Sequence, residues 1–269
     1  MITVALIPAP QPQPQHSHSH SRSRHLNTHT HTHDSNIMVN VIIREVASNV
    51  WTFSTPFTRL GVFRIGGRST AIKLASGAVW VLASTPLTDE TKAAIDRLGP
   101  VKFVVGPNAV HHLFLAEFHK AYPNAMLLTV EEVVKKKKDW SDSNRDPTFD
   151  FDDEIRSCYF TGFRNKDVAF FHSRSKTLIA ADLIFNLPPT EQYSETRSGR
   201  GLCGCAKLTP YTSIHHALTR ALVVNPAAMR RDVKSVANWD FHRIIPCHGN
   251  IIEVNGKKVW RAAYNTYLD

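Results

Sequence analysis

Three short apolar runs in this 269-residue chain end in the same way. "VKFVV" leads through Gly106, Pro107 and Asn108 to the pair His111-His112, "KTLIAA" ends on Asp182, and "HRIIP" is followed by Cys247 and His248. Each run reads as a buried strand. The loop at the carboxyl end of such a strand is where functional side chains tend to sit, and one sheet can bring several such ends together. A fold for this chain must therefore bury three strands and gather their carboxyl ends.

The remaining pattern is mixed strand and helix. After residue 38, "VWTFSTP", "RSTAIKLA" and "AVWVLAST" are rich in β-branched and aromatic residues and are separated by glycine-containing breaks. "LTDETKAAIDRLG" predicts a helix with Thr88 as N-cap, acids in its first turn and Gly99 past its end. "HHLFLAEFHKAYP" predicts a second helix, stopped by Pro123, and "AMLLTV" another strand. "DVAFFHSRSKTLIAAD" predicts a hairpin turning at "SRS". "TSIHHALTRALVV" and "PAAMRRDVKSVANW" predict helices, the second with Pro226 in its first turn. Residues 187–210 form a long polar excursion, expected to be a mobile lid or binding loop near the site because it starts just after Asp182.

The first 37 residues are a different material. "PQPQPQHSHSHSRSRHLNTHTHTHD" alternates His with Ser and Thr and holds almost nothing apolar, so a disordered tail over 1–37 and one domain over 38–269 are expected. On that reading Met38 is an alternative start, and removal of residues 1–36 leaves the melting temperature unchanged. No apolar run approaches the roughly 18 residues of a membrane span. The four cysteines, Cys158, Cys203, Cys205 and Cys247, are too scattered for a disulfide framework, which points to reduced thiols and a cytoplasmic location. The net charge of +9 shows no basic stripe interleaved with aromatics, so a nucleic-acid partner is not indicated. The run "VVKKKKD" follows Glu131 and Glu132, the charge order a solvated helix prefers.

Imidazole and carboxylate are common ligands of zinc and iron, and three or four of them make a site. The candidates are His111, His112, Asp182 and His248, with one divalent metal ion, zinc or iron, as the cofactor they would hold. His172 is excluded by geometry: in the hairpin it lies beside the turn, about 20 Å from the strand end that carries Asp182. His215 and His216 sit in an amphipathic helix, and the lone Cys203-Gly204-Cys205 pair is weak as a metal motif.

"GPNAVHHLFLAEF", "HSRSKTLIAADLIFN", "WVLASTPLTDE" and "IIPCHG" together resemble the metallo-β-lactamase superfamily, and within it a metallo-β-lactamase-like family of unknown function. The resemblance covers about residues 45–262. It implies a four-layer αββα sandwich with the metal site at one edge of two sheets. The superfamily's H-x-H-x-D-H motif, laid on "PNAVHH", puts Pro107 and Ala109 in place of its leading histidines, His111 in place of its aspartate, and His112 in place of its last histidine. A later histidine position is taken by Phe163. The resemblance thus implies loss of the three-histidine site and survival of a second one built from His111, His112, Asp182 and His248.

Two functions remain open on these residues. One is a mononuclear metal-dependent hydrolase acting on a small molecule, its metal held by His112, Asp182 and His248. There His111 is a fourth ligand, or a base or water-orienting group behind them, and Asn108 is either a donor to a developing oxyanion or equally a turn residue after Pro107. The other is a non-catalytic binding or scaffold protein that keeps the fold with an emptied site.

Overall fold

The structure is a computed structural model that describes residues 1–6, 40–137, 140–142, 151–196 and 208–269. In chain order its strands are β1 (Ile2–Leu6), β2 (Ile42–Ala47), β3 (Val50–Thr55), β4 (Thr58–Arg59), β5 (Phe63–Arg64), β6 (Gly67–Lys73), β7 (Val79–Leu82), β8 (Val101–Val105), β9 (Met126–Val130), β10 (Ser141–Asp142), β11 (Ile155–Tyr159), β12 (Val168–His172), β13 (Thr177–Ala180) and β14 (Arg243–Pro246). The helices are α1 (Asp89–Leu98), α2 (Leu115–Ala121), α3 (Glu131–Lys136), α4 (Ser213–Leu222), α5 (Pro226–Ala237), α6 (Gly256–Ala263) and α7 (Asn265–Leu268). An eight-stranded sheet in the order β10-β1-β9-β8-β7-β6-β3-β2 faces a four-stranded sheet in the order β11-β12-β13-β14, and β4 pairs with β5 in a separate ribbon.

Side-chain alternation explains why the inner strands read as continuous apolar runs. On the small sheet, Phe170, Ile179, Ala181 and Ile245 join a core shared with the large sheet, where they meet Trp80, Val104 and Leu127. Their neighbours Phe171, Leu178, Ala180 and Ile244 point the other way, into a second core with Met229 and Val233 of α5 and Trp260 and Tyr264 of the C-terminal helices. Ala94 and Ile95 of α1 and Leu115 and Phe118 of α2 join the first core. The expected αββα layering is the observed one. Because β7–β8, β8–β9 and β13–β14 are parallel, the carboxyl ends of β7, β8, β13 and β14 carry the connecting loops.

Local signals read from the sequence hold at several element ends. Thr88 accepts a hydrogen bond from the Thr91 backbone at the start of α1, and Pro226 opens α5 behind the Asn225 cap. The second predicted helix is shorter than its pattern, however. α2 begins at Leu115, so His111 and His112 lie in the loop before it.

Two expectations are corrected. The chain start is not all tail: β1 lies between β9 and β10, pairing Ile2 with Val130 and Ala5 with both Leu127 and Asp142. The Ile-Thr-Val-Ala-Leu run is short but β-prone, and the edge of β9 offers unpaired backbone groups that it satisfies. Residues 7–39 lie outside the described residues, as does the Cys203-Gly204-Cys205 segment. The excursion 187–210 is also pinned over its first part. Leu187, Gln192 and Tyr193 are buried, Gln192 Nε2 donates to Gly249 O, and Tyr193 Oη donates to Phe57 O. This part does lie beside the site, as built structure.

The placement of β1 makes the chain start structural. Removing residues 1–6 strips five paired residues from the sheet and exposes Leu127 and Leu128. The expected loss is about 2 kcal/mol, a fall in Tm on the order of 5 °C, while removal of residues 8–36 alone should lower it far less. Thermal denaturation of the two deletion variants checks this.

Candidate metal centre

Three carboxyl-end loops deliver one cluster. After β8, the turn through Pro107 and Asn108 brings His111 back over the sheet; Asp182 follows β13, and His248 follows β14. One ligand atom each from His111, Asp182 and His248 lies within 4.8 Å of the others. His111 Nε2 is 3.2 Å from Asp182 Oδ1 and 3.3 Å from His248 Nε2, and His248 Nε2 is 3.5 Å from Asp182 Oδ1. Among the described residues no other group of three such ligands converges in this way.

The outer nitrogens of the two imidazoles are held from behind. His248 Nδ1 donates to Gly66 O at 2.6 Å, which leaves the Nε2 lone pair aimed at the cluster. His111 Nδ1 lies 2.7 Å from Ser84 Oγ, at the end of the β7 loop. The His248 ring also stacks on Phe185 (centroids 5.5 Å apart, planes at 9°) and on Phe57 (6.1 Å, 22°). Backbone space is tight here. Gly249 has φ +87°, and a Cβ on it would stand 2.2 Å from Asn186 O; Gly66 has φ +68°, and a Cβ on it would meet Gln192 at 2.7 Å.

Asp182 is fixed by a shell of amides. Asn165 Nδ2 and Asn108 Nδ2 donate to its Oδ2 at 2.8 and 3.0 Å. Asn108 also donates to Asp167 Oδ2 at 2.7 Å, and its own Oδ1 accepts from the Val110 and His111 backbone N–H groups. Fully buried and bonded at both ends, Asn108 has no free donor for an oxyanion. Of the two roles open to Asn108, its bonds match the turn role: Asn108 shapes the loop that carries His111 and orients Asp182.

Electrostatics follow from this packing. Burial penalises charge on all three residues, but the Asp182 carboxylate beside His111 raises that imidazole above its ordinary value. The two imidazoles in turn hold Asp182 well below the usual carboxylate range, against its burial. His248 is lowered by burial. Asp167, buried and facing the charge of Asp182, is pushed up to about 8. Burial also pushes the Cys247 thiol to about 12, which leaves it an inert packing group.

The remaining candidates separate cleanly. The expectation that His112 is the histidine ligand from this loop is corrected: His111 joins the trio, while His112 is half-buried near Lys136 and Lys137 with its Nδ1 buried and without a hydrogen-bond partner. His172 pairs with Thr177 beside the hairpin turn and bonds Ser175 Oγ, away from Asp182 as expected. His215 is buried in α4 and accepts from the Phe185 backbone, with burial lowering it to about 4.

Sequence reasoning passed over the residue that sets the His248 loop. Arg68, fully buried in β6, donates to Pro246 O and Gly249 O at 2.7 Å each, to Ser54 Oγ at 2.9 Å and to Glu191 at 3.1 Å. The only hint was an arginine near the start of a strand whose other residues, up to the terminal Lys73, are small or apolar. Asp167 and Asn165 were missed as well, because they stand alone in a polar loop with no spacing to mark them.

No protein-family model and no curated protein matches the chain. Solved structures do match it. The DIM-1 metallo-β-lactamase exposed to ceftazidime aligns with TM-score 0.56 and 13% identity over 85% of this chain and 98% of its own. A metallo-β-lactamase from Pontibacter korlensis aligns with TM-score 0.55 and 11% identity over 86% and 100%. The metallo-β-lactamase FIM-1 from Pseudomonas aeruginosa, in its mono-zinc form, aligns with TM-score 0.51 and 12% identity over 86% and 98%. With two facing sheets, flanking helices and a ligand cluster at their common edge, this chain has the metallo-β-lactamase fold.

Proposed function

We propose that the chain is a metal-dependent hydrolase with a single divalent cation, zinc or iron, held by His111, Asp182 and His248. The observation that carries this reading is the convergence of those three ligand atoms within 4.8 Å from three separate loops. The donor set fits a metal: a carboxylate, an imidazole whose outer N–H is committed to a backbone carbonyl, and a second imidazole backed by a hydroxyl. A cation bound there would supply a water of lowered pKa and polarise a substrate carbonyl. His112 is left out of the ligand set on its position.

The protein's own groups divide the remaining work. Asn165 and Asn108 hold Asp182 Oδ2, so Oδ1 is the oxygen turned to the two histidines. Ser84 fixes the His111 ring and offers a route for a proton at Nδ1. Phe185 and Phe57 cover His248 and keep bulk water from its ring. A small-molecule substrate is part of this proposal. Among the described residues no helix is long and apolar enough to cross a membrane.

A second reading has one observation in its favour. The trio closes on itself, with an ion pair of 3.2 Å between His111 and Asp182, as a scaffold with an emptied site would. Metal content decides between the two. Protein lacking the histidine-rich residues 8–36, purified with zinc and iron present, should carry about one ion. Asp182→Asn and His248→Ala should each lower affinity by at least tenfold, and His112→Ala and His172→Ala should leave it unchanged. Elemental analysis and competition with a chelator read this out; protein that takes up no metal establishes the scaffold reading.

The pH dependence has a defined sign. A cation must displace the proton that Asp182 stabilises on His111, so affinity should fall as pH drops through the raised pKa of His111. Without metal the same proton stabilises the fold. That contribution is present below the unfolded value of His111 and is lost as pH rises through its folded value. A chelator titration across pH 5–9 measures the first effect. Asn108→Ala removes a doubly bonded buried amide, leaving two carboxylate contacts and two backbone N–H groups unmet. It should cost about 3 kcal/mol in denaturant unfolding.

A further inference from the structure

Helix α4 is amphipathic, yet its apolar face is not what it buries. Its buried residues are His215 and Thr219, while Ile214, Leu218 and Leu222, spaced four apart on one face, line an open cavity. That cavity measures about 450 Å³ and is walled on its other sides by Phe63 and Ile65 of the β5 region and by Phe185, Leu187 and Leu208. Its polar wall is short: Asp182, Asn165 and Arg59. A volume of this size with apolar walls and a few convergent polar groups has the form of a small-molecule pocket.

A second cavity of about 80 Å³, room for a few waters, adjoins the same centre and is lined by His111, His248, Ser84 and again Arg59. The candidate ligands are thus divided between two spaces. Asp182 lines the large apolar one, and the two imidazoles line the small one. Arg59 borders both, and its charge is felt at His111.

We infer that the large cavity is the acyl subsite of this centre: it takes the hydrocarbon body of an aliphatic acyl compound and places its oxygen-bearing head group between Arg59 and Asp182. This rests on the metal reading for what happens to the head group, but not for the binding of the chain. An apolar body is required by the wall chemistry, since eight of the eleven lining residues are apolar and a polar body would leave its own groups unpaired there. An oxygen-bearing, electron-rich head is required by the opposite end, where Arg59 supplies the one cation of the lining. A bare Asp182 repels a carboxylate, so metal loading should separate charged from uncharged head groups.

The test uses the full chain, with octanoate, decanoate and decanol as probes displacing a fluorescent apolar dye. Decanoate should bind roughly tenfold tighter than octanoate, the gain from two buried methylenes. Ile214→Asp and Leu218→Asp, at half-buried or exposed positions that the core does not need, should each weaken decanol and decanoate at least tenfold with unchanged circular dichroism. Arg59→Gln should weaken decanoate and spare decanol. Zinc should strengthen decanoate alone, and Asp182→Asn should abolish that gain while decanol binding persists. Absence of chain-length dependence, or binding indifferent to both α4 substitutions, overturns the subsite. Chain-length dependence with no zinc effect keeps the subsite and overturns the metal reading beneath it.

Discussion

The guanidinium of Arg68 joins the two sheets at the point where the site is made. It rises from β6 in the large sheet, and two of its hydrogen bonds end on Pro246 O and Gly249 O, on either side of His248 in the loop of the small sheet. A buried arginine is costly unless its charge is paired and its donors are met. Here Glu191 provides the counter-charge, and is itself held below the usual carboxylate range by Arg68 despite its burial. Arg44 approaches the other oxygen of Glu191 at 2.9 Å, extending the pair outward to Glu253. The position of His248 is therefore inherited from the large sheet, as is that of His111, which leaves β8 of the same sheet.

Asp182 follows β13 of the small sheet, and its carboxylate is positioned by a different device. The Asn108 amide reaches across to it from the β8 loop, while Asn165 reaches it from the loop before β12. Asp167 completes the arrangement, accepting from both Asn108 and the Asp182 backbone N–H. When two carboxyls share one low-dielectric site their affinities for a proton are driven apart, and here Asp167 is raised while Asp182, beside the two imidazoles, is lowered.

Much of this was legible in the chain because it depends on local pattern. The buried strands β8, β13 and β14 announce themselves by apolar runs, and the ligand types at their ends point to Asp182 and His248 without knowledge of their spacing. Between His111 and His112 that pattern favoured the wrong one, since His111 and not His112 joins the cluster. Adjacent residues in an irregular loop point in directions set by tertiary bonds, and only the grip of Asn108 Oδ1 on the His111 backbone turns one of them inward. Arg68, Asp167 and Asn165 were illegible for a related reason: their roles lie in partners 178, 15 and 17 positions away, which no sequence period encodes. The strand at the chain start was hidden by its company, five β-prone residues followed by a long polar stretch.

The candidate centre and the apolar cavity beside it share structural supports at one edge of the fold. Phe185 has two neighbours that need it in place: its ring stacks on His248, and its backbone N–H is accepted by the neutral His215 of α4. With His215 and Thr219 turned inward, the adjacent stripe of Ile214, Leu218 and Leu222 on α4 faces the cavity beside Asp182. Burial, which lowers His215 to about 4, keeps it an acceptor throughout the neutral range. A single buried imidazole therefore links the aromatic cover of the candidate metal centre to the helix that lines the apolar cavity.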